Sequence, residues 1–192
     1  KNKIYMRIDS LSRFSPDSLS LMEFQTEQDY EITTKLYGGW PFQGETISGS
    51  WNPKYAQEIN LTSDRDIFNT NKQGFPLYEG KMVHQYDAYF AEPKYWIETA
   101  KGRKLLLKRQ PDEGQIWFYE KPRVVFRDIA RPTDERTLIA SIIPPNAFAG
   151  NTAIVETNTE KDEMLFLLAM LNSLCMDYIV RQKISTHVNM FY

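Results

Sequence analysis

The sequence predicts an α+β domain: a curved, mostly antiparallel mixed sheet with a long C-terminal helix packed on it and a short N-terminal helix. Three observations carry this. Residues 124–145 set a knot of charge between two apolar runs, which reads as two buried strands joined by a turn at Pro132-Thr133-Asp134-Glu135. Residues 160–183 repeat apolar side chains at helical spacing, with acids in the first turn and Arg181 and Lys183 in the last. Residues 75–90 broadly alternate apolar and polar, interrupted at Gly80, as strand, bulge or turn, strand.

The bulk numbers agree with a folded domain. At 192 residues, 42% hydrophobic and 25% charged, the chain can bury a core and lies outside the disordered class. One domain over residues 1–192 is expected, with 1–73 as an N-terminal part and 74–192 as core sheet and C-terminal helix. Its one cysteine, Cys175, excludes an internal disulfide; it lies in an apolar run and reads as a buried thiol in a reducing compartment, so a cytoplasmic location is expected. No apolar run approaches the roughly 20 residues that span a bilayer, and no secretory signal opens the chain, so no membrane partner is expected. Starting at Lys1 without a methionine and stopping on Phe191-Tyr192, it reads as a piece of something longer. Net charge is −2, yet residues 94–136 carry 11 basic against 7 acidic groups. A basic middle in an acidic chain suits a docking face for nucleic acid better than a general coat.

Taken in order, residues 4–8 are a strand candidate, followed by a serine-rich loop with Pro16 as punctuation. Thr26 with Asp29 at the third helical position is a capping signature, and Tyr30, Ile32, Thr33, Leu36 and Tyr37 continue at helical spacing until Gly38-Gly39 and Pro41 end the helix. Residues 42–73 read as connecting structure, with a strand near 58–61 and a helical turn at 64–68. After residues 75–90, weak strands at 94–96 and 104–107 flank a basic loop, and Pro111-Asp112-Glu113-Gly114 turns the chain before a strand at 116–119. Beyond the central hairpin, Pro144-Pro145-Asn146 breaks the sheet and residues 152–155 form another strand. Thr159 can cap the last helix. Met164, Leu167, Leu168, Leu171, Leu174, Cys175 and Tyr178 line one face of it; Phe166, Met170 and Ile179 widen the stripe, so the helix should be covered on more than one side.

The residues exclude much chemistry. Two histidines and one cysteine build no zinc cluster, and neither a glycine-rich phosphate loop nor a nucleophile elbow is present. The Asn/Asp-Pro-Pro-aromatic loop that grips the target amine in amino-methylating DNA methyltransferases is absent, since Pro144-Pro145-Asn146 has its prolines on the wrong side. Glu79-Gly80-Lys81, with Asp66 upstream, offers the acid-x-Lys layout in which carboxylates hold Mg2+ and lysine orients the attacking water. That triplet also arises by chance, as in Glu92-Pro93-Lys94, and glycine weakens a strand. At the central hairpin, Arg127, Arg131 and Arg136 are suited to bidentate contact with phosphate or guanine edges. Mutual pairing with Asp128, Asp134 and Glu135 in solvent is the commoner fate of such a run.

Four ordered blocks carry a resemblance. They are residues 76–87 (Pro76 to Asp87, including Glu79-Gly80-Lys81), residues 126–137 (Phe126 to Thr137), residues 168–173, and residues 177–183 with Thr186-His187-Val188-Asn189. Together they resemble the C-terminal target-recognition region of type IIG-like restriction-modification enzymes, fused nuclease and adenine-specific DNA methyltransferases whose specificity part is similar to type I specificity subunits. Residues 14–41 are more weakly similar to the same region. The resemblance implies a bacterial-defence domain that clamps double-stranded DNA in the major groove, chooses the sequence, and presents an adenine to a methyltransferase domain earlier in the same parent chain. There S-adenosylmethionine would be the methyl donor. The piece itself has neither catalytic loop nor cofactor region and is expected to bind without catalysing.

On that resemblance Gly80, Asn172 and Ser173 are scaffold and Asp128 fixes the hairpin. Lys81, Arg127, Arg131 and Arg136 contact the DNA backbone. Base readers are expected in the loops between residues 94 and 121, namely Lys101, Arg103, Lys104, Lys108, Arg109 and Gln110, while His84, His187 and Asn189 can serve as readers or as structure. Two rival readings stay open: a metal-dependent nuclease built on Asp66, Glu79 and Lys81, and a protein-interaction module docking through the apolar helix face.

Overall fold

A computed structural model describes residues 3–16, 19, 21–39, 52–158, 160–184 and 187–188. The expectations placed on Pro41, residues 42–51, Thr159, Thr186 and Asn189 lie outside the described residues. The α+β class holds, and the strands form two four-stranded sheets. The first has the order β1 (Tyr55–Ala56), β8 (Ala153–Glu156), β5 (Arg123–Arg127), β6 (Ala140–Ile143), antiparallel throughout. The second runs β2 (Phe68–Asn69), β4 (Tyr95–Ile97), β3 (Phe75–Tyr78), β7 (Phe148–Ala149), with β3 and β7 parallel.

The central hairpin is the expected one. Its strands pair Arg123 with Ile143 through Phe126 with Ala140. β5 reads as an unbroken apolar run because both of its faces are covered. Val124 and Phe126 point toward the C-terminal helices with Ile154, Leu167, Leu168 and Leu171, while Val125 faces Tyr78, Met82, Ala149 and Val155. Beyond the second sheet, Ile59, Leu77, Ile97, Tyr119 and Phe148 make a third cluster, closed by α3 (Thr99–Leu107). Gly102 lets that helix approach, since a Cβ there would sit 2.3 Å from the Phe148 ring. At 25 cal/mol per Å2 each fully buried Leu, Ile or Phe of these clusters contributes about 1.5–3 kcal/mol.

The N-terminal segment differs in part from its expectation. Residues 4–7 form no strand, and the serine-rich stretch holds α1 (Ile8–Phe14). The second helix, α2 (Glu27–Tyr37), starts at the expected capping box: the Asp29 amide donates to Thr26 Oγ1 at 3.1 Å and the Thr26 amide to Asp29 Oδ2 at 2.9 Å. Phe14, Met22 and Tyr37 close a small separate core between the two helices, and Ile179 packs on it.

The C-terminal helical segment is divided. α4 (Lys161–Leu171) and α5 (Leu174–Lys183) meet at 64°, because Ser173 caps the second helix by accepting the Met176 amide at 3.2 Å. The bend leaves Leu165 and Leu174 exposed, and Cys175, expected to be buried, is exposed as well. Among the described residues no single helix is long and apolar enough to cross a membrane. Three strand readings also change. Residues 104–107 belong to α3, residues 118–120 form a short 3-10 turn, and the segment after Gly80 is a 3-10 turn over residues 80–82.

Candidate functional site

Two pieces of chain far apart in sequence meet beside the hairpin. Residues 128–139, which link β5 to β6, and the turn at residues 84–87 enclose a cleft of about 210 Å3. Arg127, the last residue of β5, is half-buried in it. Its Nε donates to the Val83 carbonyl at 2.6 Å, and its guanidinium lies over the Phe90 ring at 5.9 Å. Burial lowers the Arg127 pKa and the charge of Asp134 opposes that shift. Arg136 closes another side: it donates to the Asn172 carbonyl at 2.6 Å, sits 3.7 Å from Asp177 Oδ1, and donates to the Gln85 side-chain oxygen at 3.0 and 3.1 Å. Arg131 is exposed on the same link and makes no side-chain ion pair among the described residues; its backbone is held, the amide donating to Asp134 Oδ2 at 2.9 Å and the carbonyl accepting from Thr137 Oγ1 and the Asp134 amide, each at 3.1 Å.

The opposite wall is a tight turn. The His84 amide donates to the Asp87 carbonyl at 2.7 Å and the Asp87 amide returns to His84 at 3.0 Å, leaving Gln85 and Tyr86 at the tip. Tyr86 has φ +61, a conformation in which glycine or asparagine is the cheap choice. Its amide donates to the Ala140 carbonyl at 3.0 Å. Together with the bonds from Arg127 to Val83 and Arg136 to Gln85, this fastens the turn to the hairpin as one rigid unit. The turn projects Tyr86, Tyr89 and Phe90 into solvent at 62%, 75% and 57% exposure, with the His84 ring 4.8 Å from Phe90.

The other expected residues are dispersed. His187 hydrogen-bonds through Nδ1 to Asp128 Oδ2 at 2.8 Å, and the Val188 amide donates to the Asp128 carbonyl at 2.6 Å, so Asp128 ties the chain end to the hairpin. Lys81 pairs with Glu79 at 3.0 Å, and Gly80 is held by Thr152, whose carbonyl oxygen a Cβ would meet at 2.4 Å. None of residues 101–110 lines the cleft. Lys101 pairs with Glu98, and Lys104, Lys108, Arg109 and Gln110 are exposed at the end of α3. Arg103, expected as a base reader, is fully engaged inside the fold: it pairs with Asp112 at 2.7 Å and Glu120 at 3.3 Å and donates to the Gln115 carbonyl at 2.8 Å. Among the described residues no three His, Cys, Asp or Glu side chains gather as metal ligands, and Asp66 is exposed in the 3-10 turn over residues 65–67.

Sequence reasoning missed Gln85 and the three exposed aromatic side chains. Their one signal was the density of aromatic residues around 78–90, and alternation made that stretch look like strand.

No family model matches the chain, and no curated protein matches it. Among solved structures, the HsdS subunit from Thermoanaerobacter tengcongensis is similar over 83% of this chain at 13% identity, with a TM-score of 0.40. The chain spans 36% of that protein's length.

Proposed function

We propose that the chain is a non-catalytic module that binds double-stranded DNA and recognises its target sequence, within a restriction-modification adenine methyltransferase of the type IIG kind. The catalytic domain, with S-adenosylmethionine as its methyl donor, lies elsewhere in the same parent chain. The observation that carries the reading is the convergence at one cleft of Arg127, Arg136, His84 and Gln85, drawn from two of the four sequence blocks, with Arg131 free on the adjoining link. Arg127 and Arg136 are held by backbone carbonyls, so each keeps donors in a fixed orientation. A guanidinium so placed costs little further entropy when it meets a phosphate. Gln85, whose oxygen is taken by Arg136, leaves its side-chain N–H groups to donate to an acceptor on a base edge, and Arg131 and Lys81 supply backbone contact.

The test is duplex binding measured by fluorescence anisotropy across a salt series. Affinity falls linearly in log salt with a slope near −0.9 per phosphate contact. The double variant Arg131→Ala, Lys81→Ala flattens that slope by about 2 and weakens binding at low salt. A salt-independent affinity, or an unchanged slope in the double variant, overturns the reading.

A further inference from the structure

The crest of the 84–90 turn calls for an explanation that packing does not give. Tyr86 occupies a left-handed backbone position that a large side chain enters only at a cost. The backbone there is held by the Ala140 carbonyl, but the ring adds little packing to offset the cost, since the residue stands 62% exposed. Tyr89 and Phe90 follow within four residues and are likewise exposed, and the Tyr89 backbone is held by its amide, which donates to Asp87 Oδ1 at 2.7 Å. The crest is rigidly mounted, through the Ala140 carbonyl and the Val83 carbonyl that Arg127 holds. Arg127 lies over the Phe90 ring and has no carboxylate in ion-pair contact among the described residues.

A cation beside exposed aromatic rings, on a stiff mount, is complementary to one kind of occupant: a flat, electron-rich ring carried on an anionic strand. We propose that the crest of Tyr86, Tyr89 and Phe90 is a stacking site for an unpaired nucleobase, which the protein binds within DNA where one base pair is open. This rests on the DNA-binding reading above and goes beyond it. Stacking needs one face of a base to be free, and inside a continuous paired duplex the neighbouring pairs cover both, so the paired duplex does not engage the crest and an opened pair does.

The experiment compares three probes in one titration: a paired duplex of about 21 base pairs, two helical turns, the same duplex with a single thymine opposite an abasic position at its centre, and the paired duplex in a large excess of free dTMP. The wild-type protein binds the abasic duplex more tightly than the paired one, within the roughly 5- to 150-fold range of one base–aromatic stack. Tyr86→Gly and Tyr89→Ser lose that preference while their paired-duplex affinity stays within about twofold. Glycine suits the backbone at position 86, so the unfolding midpoint of Tyr86→Gly is no lower than wild type, which separates loss of the ring from loss of the fold. Free dTMP leaves paired-duplex binding unchanged. Binding of the paired duplex with no preference for the abasic one, or a preference that survives in both variants, overturns the stacking site and leaves the DNA reading standing. Displacement by dTMP makes the crest a mononucleotide site and also overturns it. Binding of neither duplex sinks both readings together.

Discussion

Asp177 does more structural work than any other single carboxylate near the cleft. It is 5% exposed and accepts from the Thr137 amide at 2.7 Å, the Leu138 amide at 2.8 Å and Arg181 at 2.9 Å, with Arg136 at 3.7 Å. Burial alone would raise its pKa, but the Leu138 amide, Arg181, the Thr137 amide and the charge of Arg136 together hold it below the ordinary value. A carboxyl with a lower pKa folded than unfolded stabilises the fold above its unfolded value near 3.9, and that contribution disappears as pH falls through its folded value. Asp177→Asn therefore costs about 3 kcal/mol at pH 7, where two guanidiniums lose their counter-charge. The gap between variant and wild type narrows as the pH falls below about 4; urea unfolding at pH 7 and pH 3 measures both. Glu58 and Arg123 pose the same question without solvent. The pair is fully buried, Glu58 accepts the Ala149 amide at 2.7 Å, and Arg123 also donates to the Ala147 carbonyl. Burial pushes Glu58 up and Arg123 down. Glu58→Gln or Arg123→Met alone should cost about 3–5 kcal/mol, and the pair of changes together much less than the sum, since each single change strands the other charge. A double-mutant cycle by chemical denaturation checks it. No sequence pattern distinguishes these buried acids from exposed ones: Glu58 sits in a loose stretch and its partner is 65 positions away.

At the scale of elements, the joint between α4 and α5 shows where the sequence was legible and where it was not. The periodicity over residues 160–183 correctly marks helix, yet it passes without a break through Asn172-Ser173, because leucines continue on both sides. The break is decided by tertiary contact. β6 is an edge strand, and the Asn172 amide completes it: Nδ2 donates to the Ala140 carbonyl at 2.9 Å and Oδ1 accepts the Ala140 amide at 3.1 Å. The same Ala140 carbonyl takes the Tyr86 amide, so helix joint, sheet edge and aromatic turn share one residue. Asn172→Ala strands the buried Ala140 amide, takes one of two donors from the Ala140 carbonyl, and should cost about 2–3 kcal/mol, against about 1 kcal/mol for Ser173→Ala, which removes only a cap. Thermal unfolding of the two variants ranks them; equal losses would mean that the joint is held by capping alone. The strand readings at residues 104–107 and 116–119 failed for a related reason. Short apolar runs such as Leu105-Leu106-Leu107 do not reveal their period, and what made this one helical is the room that Gly102 gives α3 against Phe148. The hairpin, by contrast, was legible to within about two residues at each strand end, since turn chemistry and two continuous apolar runs agree there.

Over the whole molecule, a net charge of −2 tells against a polyanion partner only if charge is spread evenly. It is not. The cleft sets Arg127 and Arg136 beside Asp134 and Glu135, with Arg131 exposed on the same link, whereas Arg103, Arg123 and Arg181 are turned inward onto carboxylates and carbonyls. The sequence could indicate that the middle of the chain is basic, but not which of its arginines the fold would consume. That depended on Asp112, Glu120 and Glu58 arriving beside them. It could not indicate the cleft either, whose walls come from residues 84–85 and 127–139. Glu135 is the informative member of those walls. It is exposed, lines the cleft, and makes no side-chain ion pair among the described residues, so its charge repels an incoming phosphate against the pull of Arg127 and Arg136 in the same cleft. Glu135→Gln keeps the size and hydrogen-bonding capacity of the side chain and deletes that repulsion, worth about 1 kcal/mol at contact in water, or roughly fivefold. Duplex affinity should therefore rise about fivefold at low salt. The gain should vanish near 1 M salt, where the screening length shrinks to about 3 Å. If Glu135→Gln leaves low-salt binding unchanged, DNA does not approach through this cleft, whatever the salt dependence of the wild type.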